Sequence, residues 1–332
     1  MRWSFPSALA FLLFGALVLG ALNLAGRIPI HGPTPPQEMK AAFDRIAGKE
    51  AVSLGGSVGT AIDFDAMCLS GTPFWNNGQD LFEAEALVDL ILSRPDPPRL
   101  YFLVISPTSL GHDNGLPSLG GTYRRRFTYR FLHAEGHWGL IGGDWRQAFQ
   151  AQAMPAKGEQ LRNPWHAALL DALQLLPPPD PGVLDDTRSI DPRQAPALAK
   201  ATMAEWQENA EDVAYFDPQV GERTSAALLR IADRIDARGG RLIVVSPPYI
   251  DELVQPMQQA EWSRIDRFDS VLAQLEARGA LVINEWDNRG TRYGLRHFRD
   301  PKHLNAPGAR AFSRQIDTYL ARKGIVDRRA CS

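Results

Sequence analysis

The sequence predicts an α/β fold, doubly wound around a five-stranded, mainly parallel sheet. Two continuous apolar runs, Leu100-Tyr101-Phe102-Leu103-Val104-Ile105 and Leu242-Ile243-Val244-Val245, have the composition of strands covered on both faces. Short β segments alternate with helical patterns, the order that builds a parallel sheet through helical crossovers. Two of those patterns end in Arg-Gly, at Arg238-Gly239 and Arg278-Gly279, a helix stop just ahead of a strand.

In chain order, residues 1–28 read as a transmembrane anchor. From Phe5 to Gly26 the chain carries no charge, and only Ser7 and Asn23 are clearly polar. About 20 such residues cross a bilayer as a helix. An uncleaved anchor is preferred to a signal peptide, whose apolar region is shorter and ends in a small-residue cleavage site that is not evident here. Arg2 ahead of the span favours a cytoplasmic N-terminus and an extracytoplasmic body, although Arg27 weakens that signal. Residues 29–49 form a proline-rich tether and a leading helix, Gln37 to Ala47. Residues 50–110 hold the first part of the core, with strands at Glu50–Leu54, Thr72–Asn76 and Leu100–Ser106 and helices at Val58–Cys68 and Leu81–Leu92. Residues 111–214 contain no convincing strand and read as a helical insertion, with stretches at Asp144–Met154, Pro164–Leu176 and Arg193–Asp212. A loop of that length is a lid, a substrate platform or a partner surface. Its tryptophans Trp138, Trp145 and Trp165 suit core packing, with sugar stacking as the other use. Residues 215–325 complete the core, with helices at Gly221–Arg238, Trp262–Arg278 and Pro307–Lys323 and strands at Arg241–Ser246 and Ala280–Asn284.

At 332 residues and 44% hydrophobic, the chain can bury a large core, and a net charge of −2 argues against nucleic acid as a partner. Two cysteines, Cys68 and Cys331, are too few for a disulfide framework or a zinc cluster, and Cys68 reads as a small buried hydrophobe.

The chemistry is carried by two short motifs far apart in the chain. Gly55-Gly56-Ser57-Val58-Gly59 follows the first strand, and Asp300-Pro301-Lys302-His303-Leu304-Asn305 precedes the final helical pattern. A serine hydroxyl is a weak nucleophile until an imidazole, itself oriented by a carboxylate, takes its proton. Each residue alone has a blander explanation: a capping serine, a turn aspartate, a surface histidine. In a parallel sheet, however, all strand ends point to one edge, where ligands bind. Ser57, Gly78, Thr108 with Ser109, Pro247-Pro248-Tyr249, and Asp300 with His303 follow the five strands in turn. Asn305 and Pro307 are good first residues for a helix and fix the loop before it.

These two motifs resemble those of the SGNH (GDSL-like) hydrolase superfamily over most of residues 50–110 and 215–323. The resemblance implies a flavodoxin-like three-layer sandwich in which Ser57 is the nucleophile, His303 the general base and Asp300 the orienting acid. It also implies oxyanion donors from the Ser57 amide and from Gly78 in Asn76-Asn77-Gly78-Gln79, where an ordinary Asn-Gly turn is the alternative. The family's third block, Gly-x-Asn-Asp, is absent. The chain has Ser106-Pro107-Thr108-Ser109-Leu110-Gly111-His112-Asp113-Asn114 instead, which leaves Thr108 or Asn114 as its substitute. The membrane-anchored branch that the chain looks closest to modifies envelope polymers by O-acetylation of polysaccharide or D-alanylation of teichoic acid. That implies an acylated glycan or polysaccharide substrate, a membrane-bound O-acyltransferase as partner, and no metal or organic cofactor. Transferase and esterase share the first half-reaction and stay undecided. The alternative from another class is a non-catalytic module that binds polysaccharide or the acyltransferase.

Other motifs are weaker. The glycine turn lacks a Walker lysine and the dinucleotide spacing. His133 and His137 have zinc spacing, but Gly136 opposes a helix there and no third ligand is evident. Arg124-Arg125-Arg126 reads as a solvated face, or as a dock for an acidic glycan or lipid headgroup.

Overall fold

The structure, a computed structural model, describes residues 35–113, 186–213, 218–260, 265–288 and 292–326, together with residues 14, 15, 17, 18, 128, 131, 132, 135 and 136. The chain forms two compact units, Met1–Lys40 with Arg126–Pro179, and Ala41–Arg125 with Asp180–Ser332. In the first, Phe131 and Leu132 are buried and Lys40 pairs with Glu135 at 3.8 Å. The expected anchor, Phe5 to Gly26, lies outside the described residues except for the helical Phe14, Gly15, Leu17 and Val18. Among the described residues no helix is long and apolar enough to cross a membrane. The expected helices at Asp144–Met154 and Pro164–Leu176 also lie outside them.

The second unit is built on five parallel strands, β1 (Ala51–Gly55), β2 (Gly71–Pro73), β3 (Leu100–Val104), β4 (Arg241–Ser246) and β5 (Leu281–Asn284), in the order β2-β1-β3-β4-β5. This is the order of flavodoxin-type doubly wound sheets. Every residue of β1 and β3 is buried, as is every residue of β4 after Arg241. Full burial of one large apolar side chain contributes about 1.5–3 kcal/mol, so the two apolar runs in the sequence anchor the centre of the sheet. Strand β2 is shorter than the sequence suggests because Pro73 has no N–H for the ladder. The chain still follows β1 to its end, since the amides of Phe74 and Asn76 donate to the carbonyls of Ser53 (2.7 Å) and Gly55 (3.2 Å).

The α-helices of the described residues are α1 (Pro35–Asp44), α2 (Leu81–Leu92), α3 (Ala195–Val213), α4 (Pro218–Ala237), α5 (Asp251–Gln259), α6 (Ile265–Ala277) and α7 (Ala306–Arg322). The steps β2→β3, β3→β4 and β4→β5 all run the same way along the sheet, so right-handed crossovers place α2, α4 and α6 on one face. There α2 packs on α4 and α4 on α6. The β1→β2 step runs the other way and crosses the opposite face, where α7 meets it. Helix α2 begins at a capping box that its Asp-x-x-Glu spelling announces: Asp80 accepts from the Glu83 amide (2.8 Å) and Glu83 from the Asp80 amide (3.0 Å).

Two expectations are corrected. Val58–Cys68 is not a helix but two 3-10 turns, Ser57–Ala61 and Asp65–Met67. Fully buried Ser313 of α7 takes the backbone groups a helix would use internally, accepting from the Asp63 amide (2.8 Å) and donating to the Ala61 carbonyl (3.1 Å). Cys68 is not a buried hydrophobe; it is exposed, left-handed at φ 52°, and disulfide-bonded. Helix α5 and a two-stranded ribbon, β6 (Phe298–Asp300) with β7 (His303–Leu304), were not evident in the sequence.

Candidate active site

The turn after β1 owes its shape to Gly55. Its φ is +122°, and a Cβ there would lie 2.1 Å from the Val104 carbonyl oxygen of β3, so no other residue fits. Gly59 is pressed against the ring of Trp75, where a Cβ would come within 2.5 Å. The chain therefore leaves β1 sharply and presents Ser57 as the first residue of the 3-10 turn, half-buried. First-turn amides have no partner inside the turn.

The histidine comes from the β6–β7 ribbon. Asp300 and His303 are cross-strand partners about the two-residue turn Pro301-Lys302. Asp300 Oδ1 accepts from the amides of Lys302 and His303, both at 3.0 Å, which fixes the carboxylate before the imidazole is considered. His303 Nδ1 then lies 2.7 Å from Asp300 Oδ2 and 2.9 Å from Oδ1. Across 246 residues, His303 Nε2 lies 2.8 Å from Ser57 Oγ. With the carboxylate ionised, Nδ1 carries the proton and donates to Asp300, leaving Nε2 to accept from the Ser57 hydroxyl. The three side chains expected to meet do meet.

Burial holds the His303 imidazole below its ordinary pKa of 6.5, against the opposing pull of the Asp300 hydrogen bond and charge, and Arg299 and Lys302 push it the same way as burial. Burial would raise the Asp300 carboxyl, yet the hydrogen bond and charge of His303, the Lys302 amide and Arg299 together hold it below its ordinary value. The outcome is an ionised acid and a neutral base, the protonation state in which the imidazole can take a proton from Ser57.

The other expected residues are placed as follows. Gly78, at φ +68°, sits in a turn closed by the Gln79 amide on the Asn76 carbonyl at 2.9 Å. Buried Gln79 fastens this turn to the first, its Oε1 accepting from the Gly55 amide at 2.8 Å. The Thr108 hydroxyl is 3.0 Å from Ser106 Oγ, and both bond the hydroxyl of fully buried Tyr249, whose pKa burial raises to about 12. Asn114, His133 and His137 lie outside the described residues. Among the described residues no group of His, Cys, Asp or Glu could hold a metal ion.

Three supporting features escaped the sequence. Gln79 and Ser313 carry no local signal, since their partners are 24 and 250 residues away. The segment Asp186–Ile190 borders the ribbon, with the Ile190 amide on the Phe298 carbonyl (3.1 Å) and Asn305 Nδ2 donating to the Arg188 carbonyl (2.9 Å). Asn305 also caps α7 as expected, accepting from the Gly308 amide at 3.0 Å. A separate groove of about 740 Å³ runs along β5 and α7, lined by Val282, Asn284, Arg292 and Tyr319, and neither Ser57 nor His303 borders it.

No protein-family model and no curated protein matches the chain. One solved structure that it is similar to is LAE5, an α/β hydrolase enzyme from the metagenome of Lake Arreo, Spain. The identity is 11% and the TM-score 0.34, with 84% of this chain and 97% of that one covered. A likeness so loose carries neither fold nor activity across.

Proposed function

We propose that this chain is an SGNH-type serine acyl-transfer enzyme, tethered to the membrane and facing the extracytoplasmic side. Its substrates would be acyl esters, acetyl above all, of an envelope or secreted polysaccharide, with a membrane-bound O-acyltransferase as partner. The observation that supports the chemistry is the unbroken line Ser57 Oγ–His303 Nε2–His303 Nδ1–Asp300, at 2.8 and 2.7 Å, drawn from opposite ends of the sheet's chain order.

In this reaction Ser57 Oγ attacks the acyl carbonyl while His303 Nε2 accepts its proton. The tetrahedral oxyanion forms beside the Ser57 amide. His303 returns the proton to the departing alcohol as the C–O bond breaks, leaving acyl-Ser57. A sugar hydroxyl or water, deprotonated by His303, then attacks the acyl-serine; the acyl C–Oγ bond breaks and His303 returns the proton to Ser57 Oγ, releasing the new ester or the free acid. Asp300 keeps the imidazole in the tautomer both steps need. The Cys68 disulfide supports an oxidising compartment, because such bonds persist outside the cytosol. The apolar segment Phe5 to Gly26 supports the tether.

The full-length protein in detergent is expected to hydrolyse 4-nitrophenyl acetate and to react with a fluorophosphonate at Ser57, with both lost in Ser57→Ala. Absence of labelling in the wild type would sink the enzyme and leave a binding module. Mass spectrometry of envelope polysaccharide from a Ser57→Ala strain separates the two enzymes: loss of acetyl groups marks a transferase and gain an esterase.

A further inference from the structure

The ribbon that carries Asp300 and His303 also carries two cations, Arg299 and Lys302. Arg188, beside it, is held by Asp186 through a two-pronged contact with distances of 2.6 to 3.1 Å. Arg292 lies 3.6 Å from Glu285. Arg299 is different. Among the described residues its carboxylate neighbour within ion-pair range is Asp300, at 3.7 Å, too far for a hydrogen bond and already taken by His303 and two amides, while its charge also acts on Asp186, which Arg188 holds. Arg299 Nε is buried with no hydrogen-bond partner, while 13% of the side chain stays open to solvent. Lys302, two residues after Asp300, has its ammonium 5.5 Å from the centre of the Trp206 ring, and among the described residues it makes no ion pair. One cation thus precedes the Asp-x-x-His turn and one lies within it, and among the described residues neither has a hydrogen-bonded carboxylate.

A buried guanidinium N–H without an acceptor is costly, even with the charge of Asp300 nearby, and hydrogen bonds to charged groups are about twice as strong as neutral ones. A bulge interrupts β6 between Phe298, which is buried in the core, and Asp300, and half-buried Arg299 sits at that irregularity, where a bulge re-aims a side chain. The guanidinium fork matches a planar carboxylate. We propose that Arg299, assisted by Lys302, binds a carboxylate on the substrate, so that the acyl-transfer centre is selective for acidic esters or acidic glycans. This inference rests on the acyl-transfer reading above and adds the charge class of the substrate.

The test compares kcat/KM of the full-length protein on 4-nitrophenyl half-esters of succinic, glutaric and adipic acids with the corresponding neutral methyl diesters. Three chain lengths allow for the unknown span from Ser57 to Arg299. The wild type is expected to prefer at least one half-ester over its neutral counterpart, and the preference is expected to weaken as salt rises. Arg299→Gln should lower that ratio roughly 10- to 100-fold, Lys302→Gln by less, and Arg299→Lys should retain part of it. Two results overturn the proposal: no charge preference at any length in the wild type, or an Arg299→Gln variant that loses both esters equally, which would make Arg299 a positioning residue for Asp300. Failure of the wild type to turn over any ester would sink the acyl-transfer reading as well, so the two failures are told apart.

Discussion

The Asp300–His303 ribbon and the Ser57 turn lie side by side, yet they are held in different ways. In the ribbon, the carboxylate is fixed by amides two and three residues on, and the imidazole by cross-strand pairing with that same residue. In the turn, Gly55 depends on the carbonyl of Val104 for its shape and on Gln79 for its amide, and the following residues depend on Ser313. A short motif can therefore encode the carboxylate–imidazole pair almost alone, whereas the serine needs three distant segments to be in place. Helix α7 serves both: Asn305 starts it next to the ribbon and Ser313, two turns on, ties down the serine's loop.

If the line of hydrogen bonds is the reactive unit, substitutions within it outweigh those around it. Ser57→Ala is expected to reduce ester turnover by about 10⁴-fold or more, measured with 4-nitrophenyl acetate on protein whose circular dichroism is unchanged. Asp300→Asn should follow at about 10³- to 10⁴-fold, because the amide favours the wrong imidazole tautomer. A loss below tenfold there would break the comparison by making the ribbon dispensable.

The supports of the turn come next. Gln79→Leu leaves the buried Gly55 amide without its acceptor and is expected to cost about 1–3 kcal/mol in urea denaturation. Ser313→Ala strands the Asp63 amide and is expected to cost a similar amount. Both should slow fluorophosphonate labelling of Ser57 while leaving the acid limb of the pH profile in place, since neither touches the ribbon. Movement of that limb would show that the two regions are not held independently.

The smallest effect is the pH dependence itself. Burial depresses the His303 imidazole, so kcat/KM should be flat above pH 6.5 and fall only at lower pH, where protonated Nε2 can no longer accept from Ser57. The sign for stability is the same. Below pH 6.5 the unfolded chain binds the proton more readily than the folded one, and stability drops as pH falls toward the folded value. Asp300, also depressed, adds stability above its ordinary 3.8 that is lost as pH falls through its folded value. An acid limb centred above 6.5 would mean that the Asp300 interaction outweighs burial.

What could be read from the sequence follows the same division. The strands β3 and β4 and the helix α2 were legible because continuous apolar runs and a helical pattern are local signals. Asp300 and His303 were legible because their geometry is contained within four residues. The helix expected at Val58–Cys68 failed because Ser313, 250 residues on, draws off its backbone bonds. Gln79 and the segment Asp186–Ile190 were invisible for the same reason, as polar residues whose partners the sequence does not name. The Gly78 turn was found from its Asn-Gly spelling, but its attachment to the serine through the next residue was not.

The 246-residue separation of Ser57 from His303 has a further consequence. At about 5–20 residues per second of synthesis, the hydroxyl leaves the ribosome roughly ten to fifty seconds ahead of its imidazole. During that interval it is an ordinary alcohol. On the acyl-transfer reading, reactivity would switch on only when α7 docks and brings the ribbon against the turn, so connectivity alone would keep the nascent polypeptide chemically silent.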